Sequence, residues 1–140
     1  MKIAVIDGQG GGIGKTLVEK LVKEIDSSVQ IIALGTNAAA TGVMLKAGAS
    51  QGASGENAII YNSSKVDIIV GPIGIIAANS MMGELTPEMA RAIAESPAFK
   101  VIIPVRRCSM EVAGVSDKTL PDLIDDAIDI VKKYIEEKKD

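Results

Sequence analysis

Asp7, Lys15 and Thr16 flank five glycines, Gly8, Gly10, Gly11, Gly12 and Gly14, interrupted only by Gln9 and Ile13. Each glycine costs conformational entropy on folding, so such a run implies a backbone task that side chains would obstruct. The chemistry available to it is anion binding. Bare amides at the start of a helix point at a phosphate, and the helix dipole favours negative charge there. Lys15, on the first helical turn, reads either as a contact to that phosphate or as a solvated lysine. Asp7 is a carboxylate that can hold magnesium. The preferred reading is that it accepts bonds from the loop's own amides, and no metal site is assigned.

Three phosphate-binding patterns overlap on the loop. The Walker A pattern, G-x-x-x-x-G-K-[ST], fits Gly14, Lys15 and Thr16, but its first glycine falls on Gln9. A variant found in deviant ATPases fits Gly11, Gly12, Gly14, Lys15 and Thr16, with Gly10 where an extra lysine belongs. The dinucleotide pattern G-x-G-x-x-G fits Gly11 and Gly14 and again puts Gln9 at the first glycine. A third pattern, G-x-x-x-G-I-G, fits Gly8, Gly12, Ile13 and Gly14 without a gap.

On that third pattern the first 75 or so residues resemble the short-chain dehydrogenase/reductase family. "GIGKTLVEKL" is similar to that family's first helix, and Gly71, Pro72, Ile73 and Gly74 stand where it has its N-N-A-G turn. The resemblance implies a Rossmann fold and an NAD(P) cofactor. Asp7 replaces the family's threonine, and the second strand is followed by Gly35, Thr36 and Asn37 rather than by an acid for the ribose. Thr36 and Asn37 are the groups left to bond a ribose hydroxyl. "YNSSK", Tyr61 to Lys65, spells the family's catalytic Y-x-x-x-K but precedes the turn it should follow. It is read as a helix end with an exposed lysine. The chain is shorter than such enzymes, so the substrate-binding part is expected to be missing. Taken whole, the chain also resembles a family of short bacterial proteins of unassigned function, through "DGQGGGIGK", "ALGTNA" and "GPIGI".

The elements that must position these residues alternate along the chain. "KIAVI" (2–6), "VQIIAL" (29–34), "VDIIV" (66–70) and "KVIIPV" (100–105) read as buried strands, with "MEVAGV" (110–115) as a last edge strand. Helical spacing predicts helices over 13–25, 37–48 and 56–62, one capped by Thr86 and stopped at Ser96–Pro97, and one over 120–137. Residues 49–55 read as a loop. Continuous apolar strands alternating with helices imply a three-layer α/β/α Rossmann-like fold in one domain, 1–140, with a mostly parallel sheet of about five strands.

Ligands of such sheets bind beyond the strands' carboxyl ends. Those ends supply Asp7 to Thr16, Gly35 to Asn37, Gly71 to Gly74 with Asn79 and Ser80 beyond, and Arg106, Arg107 and Cys108. Arg106 or Arg107 is the candidate anion clamp, the alternative being a surface pair. Cys108, beside two arginines, reads as a packing residue.

Composition excludes much else. The 140 residues include one cysteine and no histidine, which removes an internal disulfide, zinc sites built on Cys and His, and His-dependent triads. A net charge of −3 and 2% aromatics argue against a nucleic-acid partner. The longest uncharged apolar run, 68–83, is broken by Pro72 and three glycines and is too short for a membrane span. No signal peptide is read, so a soluble cytoplasmic protein is expected. Its uncharged stretches suggest a homo-oligomer. The expectation is a nucleotide site, for NAD(P) or another nucleotide, with no reaction assigned. The rivals are a P-loop-like NTP-dependent phosphotransferase or hydrolase, and a structural protein without a ligand.

Overall fold

Ile3, Ala4, Val5 and Ile6 are fully buried, and their alternation sets the architecture. Ile3 and Val5 belong to one hydrophobic cluster, Ala4 and Ile6 to another. Successive side chains of a strand point to opposite faces, so a strand with no polar face must be covered on both. A computed structural model describes residues 1–105, 109–115 and 117–139. It places this strand, β1 (Lys2–Asp7), at the centre of a five-stranded parallel sheet. Its neighbours are β2 (Gln30–Gly35) and β4 (Ile68–Pro72), and β3 (Gln51–Ser54) and β5 (Phe99–Ile103) form the edges. The order is β3-β2-β1-β4-β5, so the winding reverses between β1 and β4.

One face is covered by α1 (Gly12–Glu24), α2 (Ala38–Lys46) and α5 (Leu120–Lys138), through side chains such as Leu17, Met44 and Ile128. The other carries α3 (Glu56–Ser63) and α4 (Pro87–Glu95), through Ile59, Met89 and Ile93. This is the three-layer Rossmann-like arrangement expected from the alternating runs. Three helices, α2, α4 and α5, start at side-chain caps: Asn37 accepts the Ala40 amide, Thr86 the Met89 amide and Thr119 the Asp122 amide. α1 and α5 are joined by Lys20–Asp125 (2.6 Å) and Lys132–Glu24 (3.3 Å), and Tyr134 of α5 stacks on Phe99 of β5.

Two local expectations change. Residues 51–54, expected in a loop, are the strand β3, paired from Ile32–Gln51 to Gly35–Ser54. Its polar, glycine-containing sequence gives no strand pattern; its pairing comes from β2 alone. Residues 110–115, expected as an edge strand, lie in turn and irregular backbone and pair with nothing in the sheet. The segment instead lies beside α5, where Met110 helps to line two hollows.

Candidate functional site

β1 delivers Asp7, buried, to the foot of the glycine loop. The Gly8 amide donates to Asp7 Oδ1 at 2.8 Å, and the Gly14 amide donates to Asp7 Oδ2 at 2.7 Å. Gly14 is the third residue of α1, whose capping residue, Gly11, has no side chain to offer. Asp7 therefore caps α1 from the preceding strand, and its charge suits the positive end of the helix. The Gly11 amide closes the loop on the Gly8 carbonyl at 2.9 Å.

The five glycines separate into two groups. Gly11 is left-handed, at φ 71°, and a Cβ there would lie 2.9 Å from Ala40 Cα. A Cβ on Gly14 would lie 2.6 Å from Met44 Sδ and 2.9 Å from Asp7 Cβ, and one on Gly8 would lie 2.5 Å from both Met81 Sδ and Thr36 Oγ1. Backbone angle and the Ala40 backbone require glycine at Gly11, while at Gly14 and Gly8 neighbouring side chains occupy the space of a Cβ. Gly10 and Gly12 are exposed, have ordinary backbone angles and would place a Cβ in open space. Neither packing nor backbone geometry requires glycine at either position.

The end of β2 is governed by a residue that the sequence reading passed over. Glu84 lies between the turn after β4 and α4, yet its Oε1 accepts the Thr36 hydroxyl (2.6 Å), the Gln9 amide (2.8 Å) and the Asn37 side-chain amide (2.9 Å). The Thr36 hydroxyl first, then the Gln9 amide and Asn37, hold its carboxyl below the ordinary glutamate range. Asn37 also donates to the Gln9 carbonyl at 3.0 Å. One carboxylate thus ties together the loops after β1 and β2. The one visible signal is that Glu84 is the first charge after the uncharged stretch 68–83.

β4 ends in a short 3-10 turn, Ile73–Ile76, followed by a segment with unusual backbone. Asn79, Met81, Met82 and Gly83 all have positive φ, between 57° and 88°. Left-handed non-glycine residues are strained and persist only where surroundings hold them. Here Asn79 donates to the Leu85 carbonyl (2.7 Å), Ser80 Oγ donates to the Gly74 carbonyl (2.5 Å), and Leu85 is fully buried. Met81 is thereby pressed against Gly8, while Met82 stands 97% exposed.

Between these parts, at the reversal of winding between β1 and β4, lies a cavity of about 890 Å³. The loop from Asp7 to Ile13 and Thr16 form one side, and Pro72, Gly74 and residues 77–82 a second. Val105, Ser109, Met110, Leu120 and Ile124 complete it. Among the described lining residues Asp7 is the one ionisable group, and away from the loop Asn79, Ser80 and Ser109 stand among apolar side chains such as Val105, Met110 and Leu120.

The expected site residues divide accordingly. Asp7 to Ile13, Thr16, Pro72 and Gly74 meet at the cavity. Thr16 Oγ1 donates to the Gly12 carbonyl at 3.2 Å. Gly14 lies behind the loop, and Lys15 is exposed and outside the lining. Thr36 and Asn37, proposed for a ribose, are engaged by Glu84. Gly71 serves the sheet, since a Cβ there would lie 2.4 Å from the Ile6 carbonyl oxygen. Ile73 is half-buried and does not reach the cavity. Arg106, Arg107 and Cys108 lie outside the described residues.

Tyr61 and Lys65 are far from this chemistry. Tyr61 lies in the last turn of α3 and Lys65 just beyond it, on the opposite layer, with Lys65 Nζ 4.1 Å from the centre of the exposed Tyr61 ring. The Y-x-x-x-K match is thus a helix end, and the likeness to short-chain dehydrogenases/reductases finds no support. Among the described residues no three His, Cys, Asp or Glu side chains gather as for a metal ion, and no helix is long and apolar enough to cross a membrane. No curated protein matches the chain. One family model matches residues 2–136, which span the loop, the Glu84 clamp and all five strands. The chain belongs to the family described as Domain of unknown function (DUF3842).

Proposed function

We propose that this protein binds a nucleotide, with its phosphate on the exposed amides of the glycine loop and the remainder in the cavity beyond β1 and β4. The observation that carries the reading is the pair Gly10 and Gly12. Both lack a side chain in open space beside the cavity, where no feature of the fold forbids one. Glycine at such positions is accounted for by a ligand that approaches the backbone closely. Gly12 and Ile13 open α1, where backbone amides have no partner within the helix. The cavity lies at the topological switch point, the usual ligand crevice of a doubly wound sheet, and its size is that of a small-molecule site.

Thermal unfolding with NAD, NADP, AMP, ATP, GTP, FMN and FAD tests this. A ligand at 100 times its Kd adds about 2.7 kcal/mol to stability. The expected result is a clear upward shift with at least one of them, abolished in Gly12→Val. No shift with any at millimolar concentration overturns the reading. Lys15→Ala is expected to change the affinity by less than about threefold, because Lys15 is exposed and does not line the cavity. Magnesium-dependent ATP turnover lost in Lys15→Ala would instead establish a P-loop-like enzyme.

A further inference from the structure

We infer that the site accepts a mononucleotide and excludes the second half of a dinucleotide. This rests on the nucleotide reading and concerns which half of the crevice is open. In a doubly wound sheet a dinucleotide lies across the switch point, its pyrophosphate on the first helix and a ribose at the end of the second strand. Here that end is occupied by the chain itself. Glu84 Oε1 takes the Thr36, Asn37 and Gln9 donors that would face such a ribose.

Met81 fills the space over Gly8. The sulfur and the Thr36 hydroxyl stand 2.5 Å from where a Gly8 Cβ would be, and Glu84 Oε1 stands 3.2 Å away. The chain is at packing contact on this side of the loop. Among the described residues, none from β2 or from 35–37 lines the cavity, which opens toward β4, the 77–82 segment and α5. A ligand whose phosphate meets Gly10 and Gly12 therefore extends to one side of the loop, toward Val105, Met110 and Leu120.

Calorimetric titration of the whole chain decides the matter with two matched sets: AMP, nicotinamide mononucleotide and NAD; and FMN, AMP and FAD. GMP and UMP extend the mononucleotide series. The expected result is that at least one mononucleotide binds and that neither NAD nor FAD binds more tightly than the better of its halves. A dinucleotide at least about tenfold tighter than either half overturns the inference and leaves the nucleotide reading standing. No binding by any of these compounds overturns both.

A second arm uses Glu84→Ala, checked for a cooperative unfolding transition. Opening the clamp is expected to raise the affinity for NAD relative to AMP at least threefold. An unchanged ratio in a folded variant removes Glu84 as the cause of exclusion.

Discussion

Asp7 and Gly14, seven positions apart, are joined by a 2.7 Å hydrogen bond from the Gly14 amide to the Asp7 carboxylate. A strand-end carboxylate therefore occupies the place at a helix start where an anionic ligand is commonly sought. What remains for a ligand is the outer part of the loop, Gly10 to Ile13. Replacing Asp7 leaves the buried Gly8 and Gly14 amides without their acceptor. At about 1–3 kcal/mol for each unsatisfied group, Asp7→Ala is expected to lose roughly 2–6 kcal/mol. Asp7→Asn keeps one acceptor oxygen and is expected to lose about half as much. Urea unfolding midpoints check both; equal stability of wild type and Asp7→Ala would refute the capping role.

The glycines are predicted to respond with opposite signs. Gly71→Ala drives a methyl to 2.4 Å from the Ile6 carbonyl oxygen across the β1–β4 pair, where backbone cannot yield cheaply. The expected loss is about 3 kcal/mol, at the upper end of overpacking costs. Gly12→Ala meets open space at the start of α1 and restricts the unfolded chain, so a gain of about 0.5–1 kcal/mol is expected. The same change is expected to weaken nucleotide binding. A Gly12→Ala protein that is more stable and binds equally well would show that the loop is not the ligand's seat.

Glu84 imposes a pH dependence whose sign follows from its environment. Its folded pKa is depressed by the Thr36 hydroxyl and the Gln9 and Asn37 amides. Its contribution is thus fully present above the unfolded glutamate value of about 4.3 and is lost as pH falls through the lower folded value. Glu84→Gln retains an acceptor but no charge. Stability profiles of the two proteins are expected to differ most near neutrality and to converge in acid. Profiles that run parallel down to pH 2 would contradict this.

The sequence discloses the sheet better than the site, for a physical reason. Strands buried on both faces are written as unbroken apolar runs, and Ile3 to Ile6 or Ile68 to Val70 need no further context. β3 escapes because it is an edge strand of small and polar residues, Gln51 to Ser54, ordered by a neighbour rather than by its own pattern. Val112 and Val115 misled for the converse reason, having strand-like residues but no strand to pair with. Asp7 was legible because its partners lie within the same short loop. Glu84 was not, because its three donors lie 47 to 75 residues away and its place after an uncharged stretch does not point to them.

Those separations also order events in time. Each bond of Glu84 closes a long stretch of chain, and that entropy must be lost before the contact returns anything. Helices and the β1–β2 unit can form without Glu84; the clamp can form only after β4 has docked on β1. The contact between the loops after β1 and β2 is then expected to form late and to open locally. In native-state hydrogen exchange, the Gln9 amide should exchange through a small local opening while the amides of Val5 and Ile32 wait for global unfolding.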